Sequence, residues 1–290
     1  MNNNRQLKTM AVNGVELAYF EKGDGPLVIC LHGFPDTAYG MGAMVDELAG
    51  AGYRAVAPFL RGYAPSSLAA DNDYSLPTVA RDIAALVDGL YSGEGEAKAL
   101  LIGHDWGGLT AYHVANLAPE KVAALAVLSI PHMANAKTSW QQFKNMWYIL
   151  FFQLPKIPER AISKNNFAFI DKLYQRWSPS WRQAEANIQA FKAAIKDPAV
   201  LKATLAYYRQ MVQKPTAESK ALLTQVTTVP SLWFMGDEDG CVAVDQMNGL
   251  EHSFTQAVKL VIVEGAGHFP HCEKPAVVYE ALLPFLAANK

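Results

Sequence analysis

The chain has 290 residues, of which 51% are hydrophobic and 18% charged, with a formal net charge of −2 at pH 7 and three cysteines. That composition supplies a large core for one α/β domain, or for one domain with an insertion. It excludes a nucleic-acid footprint, gives no sign of an anionic membrane partner, and leaves Cys30, Cys241 and Cys272 as free thiols rather than a disulfide framework. The opening Met1-Asn2-Asn3-Asn4-Arg5 lacks the apolar core of a signal peptide. Apolar runs such as 146–152 are far too short to span a bilayer. A soluble, cytoplasmic protein is therefore expected.

In chain order, residues 8–22 alternate around Asn13-Gly14 and predict an antiparallel hairpin. Residues 26–31 form a continuous apolar run, as in a strand buried on both faces. It ends in His32-Gly33-Phe34-Pro35, where Phe34-Pro35 is a candidate cis bond. A helix at 38–51, a short strand at 54–57, a loop at 61–67 and an amphipathic helix at 78–91 follow. A second apolar strand then runs into Gly103-His104-Asp105-Trp106-Gly107-Gly108, followed by a helix and a strand at 122–130. Strands alternating with helices predict a mostly parallel sheet covered on both faces.

That alternation breaks at residue 132. From 132 to 221 no strand is legible, only helical and aromatic segments holding four of the six tryptophans, with Asp197-Pro198 a good helix start. Strands return at 231–235 and 259–263, and a closing helix begins at Pro275. The expected organisation is a core of residues 1–131 and 222–290, with 132–221 as a helical cap over the strands' carboxyl ends.

Gly103 and Gly107 flank Asp105 with the spacing of the G-x-S-x-G nucleophile elbow, Asp standing in place of Ser. A carboxylate nucleophile forms an ester, which must then be hydrolysed by a general base held in place by another group. Asp237-Glu238-Asp239 follows the strand at 231–235, and Gly267-His268-Phe269 follows the strand at 259–263. The chain order nucleophile, acid, histidine is that of the α/β-hydrolase fold. Asp239 is the acid chosen, with Asp237 and Glu238 as alternatives. His268 and His271 have ligand-like spacing, but without a third donor no metal is expected. The backbone N–H groups of Phe34 and Trp106 are the expected oxyanion-hole donors.

The combination of His32-Gly33-Phe34-Pro35, Arg61-Gly62-Tyr63 with Ser66, Gly103-His104-Asp105-Trp106-Gly107-Gly108 and Gly267-His268 resembles the α/β-hydrolase-fold epoxide hydrolases, over residues 8–285. Ala64 departs from the glycine usual in the Arg-Gly-Tyr loop. The core motifs are shared with haloalkane dehalogenases, so the cap must discriminate. Tyr148, followed five residues later by Gln153, resembles the first cap-tyrosine motif, and Tyr207-Tyr208-Arg209-Gln210-Met211 resembles the second, with Tyr208 the catalytic residue. Leu201, Leu205, Tyr208 and Val212 also form a stripe that would suit a plain core helix.

The resemblance implies conversion of an epoxide to a vicinal diol. Asp105 attacks carbon, Tyr148 and Tyr208 supply the proton, and His268 with Asp239 activates water. It also implies a pocket lined by Phe34, Trp106, Tyr148, Tyr208 and Phe269. The partners expected are a small epoxide and water, with no cofactor, no nucleic acid and no membrane, in a monomer or homodimer. A haloalkane dehalogenase would use the same Asp105 and His268. It would bind halide through Trp106 and one of Trp140, Trp147, Trp177 or Trp181, since Phe34 has no side-chain donor. A fluoroacetate dehalogenase would need arginines where Trp106 and Thr110 stand, and a non-catalytic receptor would lack a triad member. Substrate identity and selectivity are not legible in the chain.

Overall fold

The computed structural model describes residues 5–91, 95–137, 139–213 and 215–290. Its hairpin pairs β1 (Lys8–Val12) with β2 (Val15–Lys22) around Asn13 and Gly14, both at positive φ, as a two-residue hairpin turn requires. The remaining strands are β3 (Leu27–Leu31), β4 (Arg54–Pro58), β5 (Ala99–His104), β6 (Val122–Leu128), β7 (Ser231–Gly236) and β8 (Val258–Val263). They form one eight-stranded sheet in the order β1-β2-β4-β3-β5-β6-β7-β8. The pairs β1/β2 and β2/β4 are antiparallel and all others parallel.

Every residue of β3, β5 and β7 is buried, so both faces of the sheet are covered there. Helix α1 (Gly42–Gly50) covers β2 and β4. Helices α2 (Leu76–Leu90) and α3 (Trp106–Leu117) pack on each other, and α3 lies on β3, β5 and β6. Strand β6 stops two residues short of the expected 130 because Ser129 turns out of the sheet at φ 57°. Helix α2 starts two residues earlier than expected, with Pro77 in its first turn.

Among the described residues between β6 and β7 the regular elements are helices: α4 (Trp140–Asn145), α5 (Trp147–Phe152), α6 (Ile157–Ser163), α7 (Ala168–Trp177), α8 (Glu185–Ala194), α9 (Pro198–Gln213) and α10 (Ala217–Thr224). Helix α10 straddles the expected boundary at 221/222 and packs on α2 and α3. After β8 come the short α11 (Pro270–Glu273) and the closing α12 (Pro275–Ala288), which packs on β7 and β8. No helix among the described residues is long and apolar enough to cross a membrane.

Arg61 anchors the loop after β4 through a buried bidentate pair with Asp82 of α2 (2.6 and 2.8 Å). Removing one partner from such a pair costs about 3–5 kcal/mol, because the other charge is left buried alone. The loops after β3, β5, β7 and β8 all leave the same, carboxyl edge of the sheet, where open α/β sheets place their sites.

Candidate active site

Asp105 joins β5 to α3 at φ 50° and ψ −116°, a strained conformation for a residue with a side chain. Such strain costs of order 1–3 kcal/mol and persists only where the surroundings enforce it. Here the Asp105 amide donates to Leu128 O of β6 (3.1 Å), and its carbonyl accepts from Leu109 N (2.9 Å). Strand and helix approach so closely that a Cβ on Gly103 would lie 2.2 Å from Gly107 O. The carboxylate emerges only 4% exposed. Its Oδ1 accepts the Phe34 amide at 2.9 Å. The Trp106 amide belongs to the first turn of α3, where N–H groups have no intrahelical acceptor.

His268, fully buried, lies between two carboxylates. Its Nδ1 donates to Asp239 Oδ2 at 2.9 Å, and its Nε2 lies 3.6 Å from Asp105 Oδ2 with no other partner. Burial works to lower the imidazole pKa, but the charges of Asp239 and Asp105 outweigh it and push it up to about 10. The second oxygen of Asp239 accepts the Cys241 and Val242 amides (2.7 and 2.9 Å), which fixes the carboxylate plane. Of the three acids in that loop, Asp239 is the one brought to His268. Asp237 instead caps Gly265 N at 2.7 Å, and Glu238 bonds Ser180 at the surface.

Both loops are held from the inserted segment. At the end of α7, Trp177 O accepts the amides of Gly240 (3.2 Å) and His268 (3.0 Å), and Ser178 Oγ accepts the His268 amide at 2.9 Å. The approach is close enough that a Cβ on Gly267 would sit 2.5 Å from Trp177 O.

The rings of Tyr148 (α5) and Tyr208 (α9) meet edge to face, 5.8 Å apart. Tyr208 packs on Trp106 at 4.9 Å and Phe34 at 5.4 Å. Tyr148 packs on Trp177 at 4.9 Å, and Trp177 packs on His268 at 5.0 Å. Among the described residues the buried Tyr208 hydroxyl makes no hydrogen bond of good geometry, whereas the Tyr148 hydroxyl meets Cys241 Sγ at 3.3 Å. Burial first, and nearby charge including that of Asp105, raises both phenols well above their ordinary pKa, so both carry protons at neutral pH.

Phe269, expected to line the pocket, packs among four aromatic neighbours. It stacks on Tyr174 at 4.8 Å and touches His104, Trp181 and His268, behind the histidine and away from the two tyrosines. The residue following His268 must turn into the N-terminus of α11, which carries its ring into the core. His271 lies deeper still, against His104, and burial lowers its pKa to about 3. Of the four lid tryptophans named above, Trp177 is the one in contact with His268. Trp140 and Trp147 are exposed, and Trp181 packs with Tyr174 and Phe269.

Among the neighbours of the site, Cys241 carries no local signal in the sequence, whereas Tyr63 belongs to the Arg61-Gly62-Tyr63 motif and Trp177 is one of the four candidate halide donors. The buried Tyr63 hydroxyl has no hydrogen-bond partner among the described residues, and its ring packs against His32 and Tyr207. Asp239, Cys241 and His268 are the one group among the described residues with metal-like spacing, their ligand-type atoms lying within 4.8 Å. The Nδ1 to Oδ2 hydrogen bond already uses two atoms that a cation would bridge.

Comparison with known proteins adds to this geometry. The family model described as alpha/beta hydrolase fold matches residues 26–275. The chain is 34% identical over 281 residues to the AB hydrolase superfamily protein YfhM of Bacillus subtilis (strain 168), covering 94% of this chain and 95% of that protein. It is 30% identical to epoxide hydrolase 1 of Caenorhabditis elegans over 288 residues, 94% of this chain and 68% of the relative. Among solved structures, an epoxide hydrolase from Bacillus megaterium in complex with an inhibitor aligns with a TM-score of 0.80 at 26% identity. That alignment covers 97% of this chain and 100% of the other.

Proposed function

The chain belongs to the α/β-hydrolase-fold epoxide hydrolase family, and we propose that it opens an epoxide to a vicinal diol through a covalent ester on Asp105. The observation that carries this reading is the pair of buried tyrosines, Tyr148 and Tyr208, whose rings meet edge to face beside Trp106, Phe34 and Trp177. The helices between β6 and β7 act as the cap that brings them there.

In the first step an Asp105 oxygen attacks an epoxide carbon, and the carbon–oxygen bond breaks. The departing alkoxide takes a proton from one of the two phenols. Esterification removes the negative charge 3.6 Å from His268. The imidazolium then returns a proton to the tyrosinate and becomes a neutral base, held by Asp239. In the second step His268 takes a proton from water, and the resulting hydroxide adds to the ester carbonyl. The Phe34 and Trp106 amides hold the oxyanion. Collapse releases the diol, protonated by His268, and the new Asp105 acid gives its proton back to the imidazole. No cofactor enters the cycle.

A second reading has one observation in its favour. Among the described residues Trp177 Nε1, buried beside His268, finds no hydrogen-bond partner, and a haloalkane dehalogenase would place there a halide donor to complement Trp106. Offering an aryl epoxide and a 1-haloalkane side by side decides between them. Diol from the epoxide is expected; halide release without diol would transfer the assignment to the dehalogenase.

A further inference from the structure

The net charge of −2 conceals an uneven distribution. Residues 132–182 carry eight Lys or Arg against two carboxylates, Glu159 and Asp171. Both carboxylates are already paired with cations outside that stretch, Glu159 with Arg209 and Asp171 with Lys192. No acid at all lies between 132 and 158.

The same stretch exposes an apolar stripe. Only Met146 separates α4 from α5, and the bonds from Met146 N to Gln142 O and from Ile149 N to Met146 O keep the path helical. Trp140, Phe143, Trp147 and Leu150 recur at i, i+3, i+7 and i+10, which is one face of a helix, and Leu154 and Ile157 continue it. All six are exposed, Trp140 by 71% and Leu150 by 63%. The opposite face holds Asn145, Tyr148 and Phe152, all buried toward the site. A helix pair with an apolar face on each side has one face to spare. Cations rim the outer face: Lys144 lies over the Trp140 ring at 5.2 Å and Arg176 over Trp147 at 5.8 Å.

We propose that the outer face of α4 and α5 docks peripherally on a phospholipid surface bearing anionic headgroups, and that apolar epoxides dissolved in the lipid reach Asp105 from that side. Aromatic and aliphatic side chains rimmed by Lys and Arg are the composition of an in-plane membrane-binding helix. Basic residues near an anionic leaflet are drawn to it independently of any specific contact. A second copy of the chain fits less well, because a two-fold contact would set this cationic face against itself with no unpaired acid to receive it. The docking helix is also a wall of the site, since α5 carries Tyr148 on its inner face. The delivery of substrate rests on the epoxide hydrolase reading, whereas the docking does not.

The test uses the full chain and flotation with vesicles, without substrate. Wild type should bind phosphatidylglycerol/phosphatidylcholine vesicles at least ten times more tightly than pure phosphatidylcholine, and 0.5 M NaCl should remove most of the difference. Phe143→Ser/Leu150→Ser and Lys144→Glu/Lys156→Glu, Lys156 lying exposed in the chain between Leu154 and Ile157, should each lose at least tenfold in vesicle binding. Both should keep wild-type turnover of a water-soluble epoxide, which shows that they fold. Wild type that stays with the soluble fraction at every lipid composition overturns the docking. So does a dimer in sedimentation velocity that Phe143→Ser/Leu150→Ser dissociates, since the face would then be an interface between copies. Vesicle binding without faster turnover of a long-chain epoxide overturns the delivery route alone. Failure to form diol from any epoxide overturns the reaction assigned above, and flotation still decides the docking.

Discussion

The sharpest prediction concerns the proton on His268. At a separation of 3.6 Å, two unit charges in an effective dielectric constant of about 20 attract by about 4–5 kcal/mol. That corresponds to a factor of about 10³ in proton affinity. Asp105→Asn keeps the shape of the side chain but removes its charge, as esterification does. The imidazole pKa, pushed up to about 10 in the intact site, should therefore fall to near neutrality in the variant. A base near the working pH is what ester hydrolysis requires. The measurement is a pH titration of imidazole ¹⁵N shifts in both proteins, with His268→Gln to assign the resonance. If His268 titrates at the same pH in wild type and Asp105→Asn, its protonation does not depend on the nucleophile. The proposed conversion from resting acid to working base would then be wrong.

Three further outcomes follow from the same geometry. His268→Gln should still be alkylated but not turn over, so intact-protein mass spectrometry should show the mass of the epoxide added; an unmodified chain with normal turnover would place the base elsewhere, His271 being the nearest alternative. Tyr148→Phe or Tyr208→Phe should slow epoxide opening about 10- to 100-fold, and the double variant should nearly abolish it, given about 10²–10⁴ for a general acid in total; a double variant that keeps its activity would favour halide chemistry. His268 has its folded pKa above the unfolded value of about 6.5, so its contribution to stability is complete below that pH and is lost as pH rises through about 10. Urea midpoints between pH 6 and 10 should therefore fall more for wild type than for His268→Gln; parallel curves would show that the imidazolium pairing contributes little.

What the chain disclosed in advance was whatever its chemistry places locally. Asn13-Gly14 announced a hairpin, and Gly103 and Gly107 announced a tight elbow, because backbone sterics are read from neighbouring residues. Asp239 was harder, since three acids share that loop and only the turn decides which one faces His268. Tyr148 and Tyr208 came from resemblance, because a tyrosine on an apolar helix face carries no mark of its partner. Cys241 had no signal at all, being brought to the site by contacts between distant segments, and among four candidate tryptophans nothing local singled out Trp177. For Phe269, adjacency to His268 says nothing about which side of the backbone the ring takes. The exposed stripe on α4 and α5 escaped for a related reason: helical periodicity identifies an apolar face but not whether anything covers it.

The end of α7 sets a rule for recombining such proteins. One carbonyl, that of Trp177, receives amides from both the acid loop and the histidine loop, with Ser178 adding a third bond. An exchange of the whole inserted segment between relatives would thus also replace part of the scaffold of the Asp239–His268 pair. Chimeras joined within α6, which leave residues 168–178 with their native core, should retain chemistry while acquiring new selectivity from α4 and α5. Those joined after residue 178 should fold with the acid and histidine loops out of register, and only the first kind offers a workable site for shuffling.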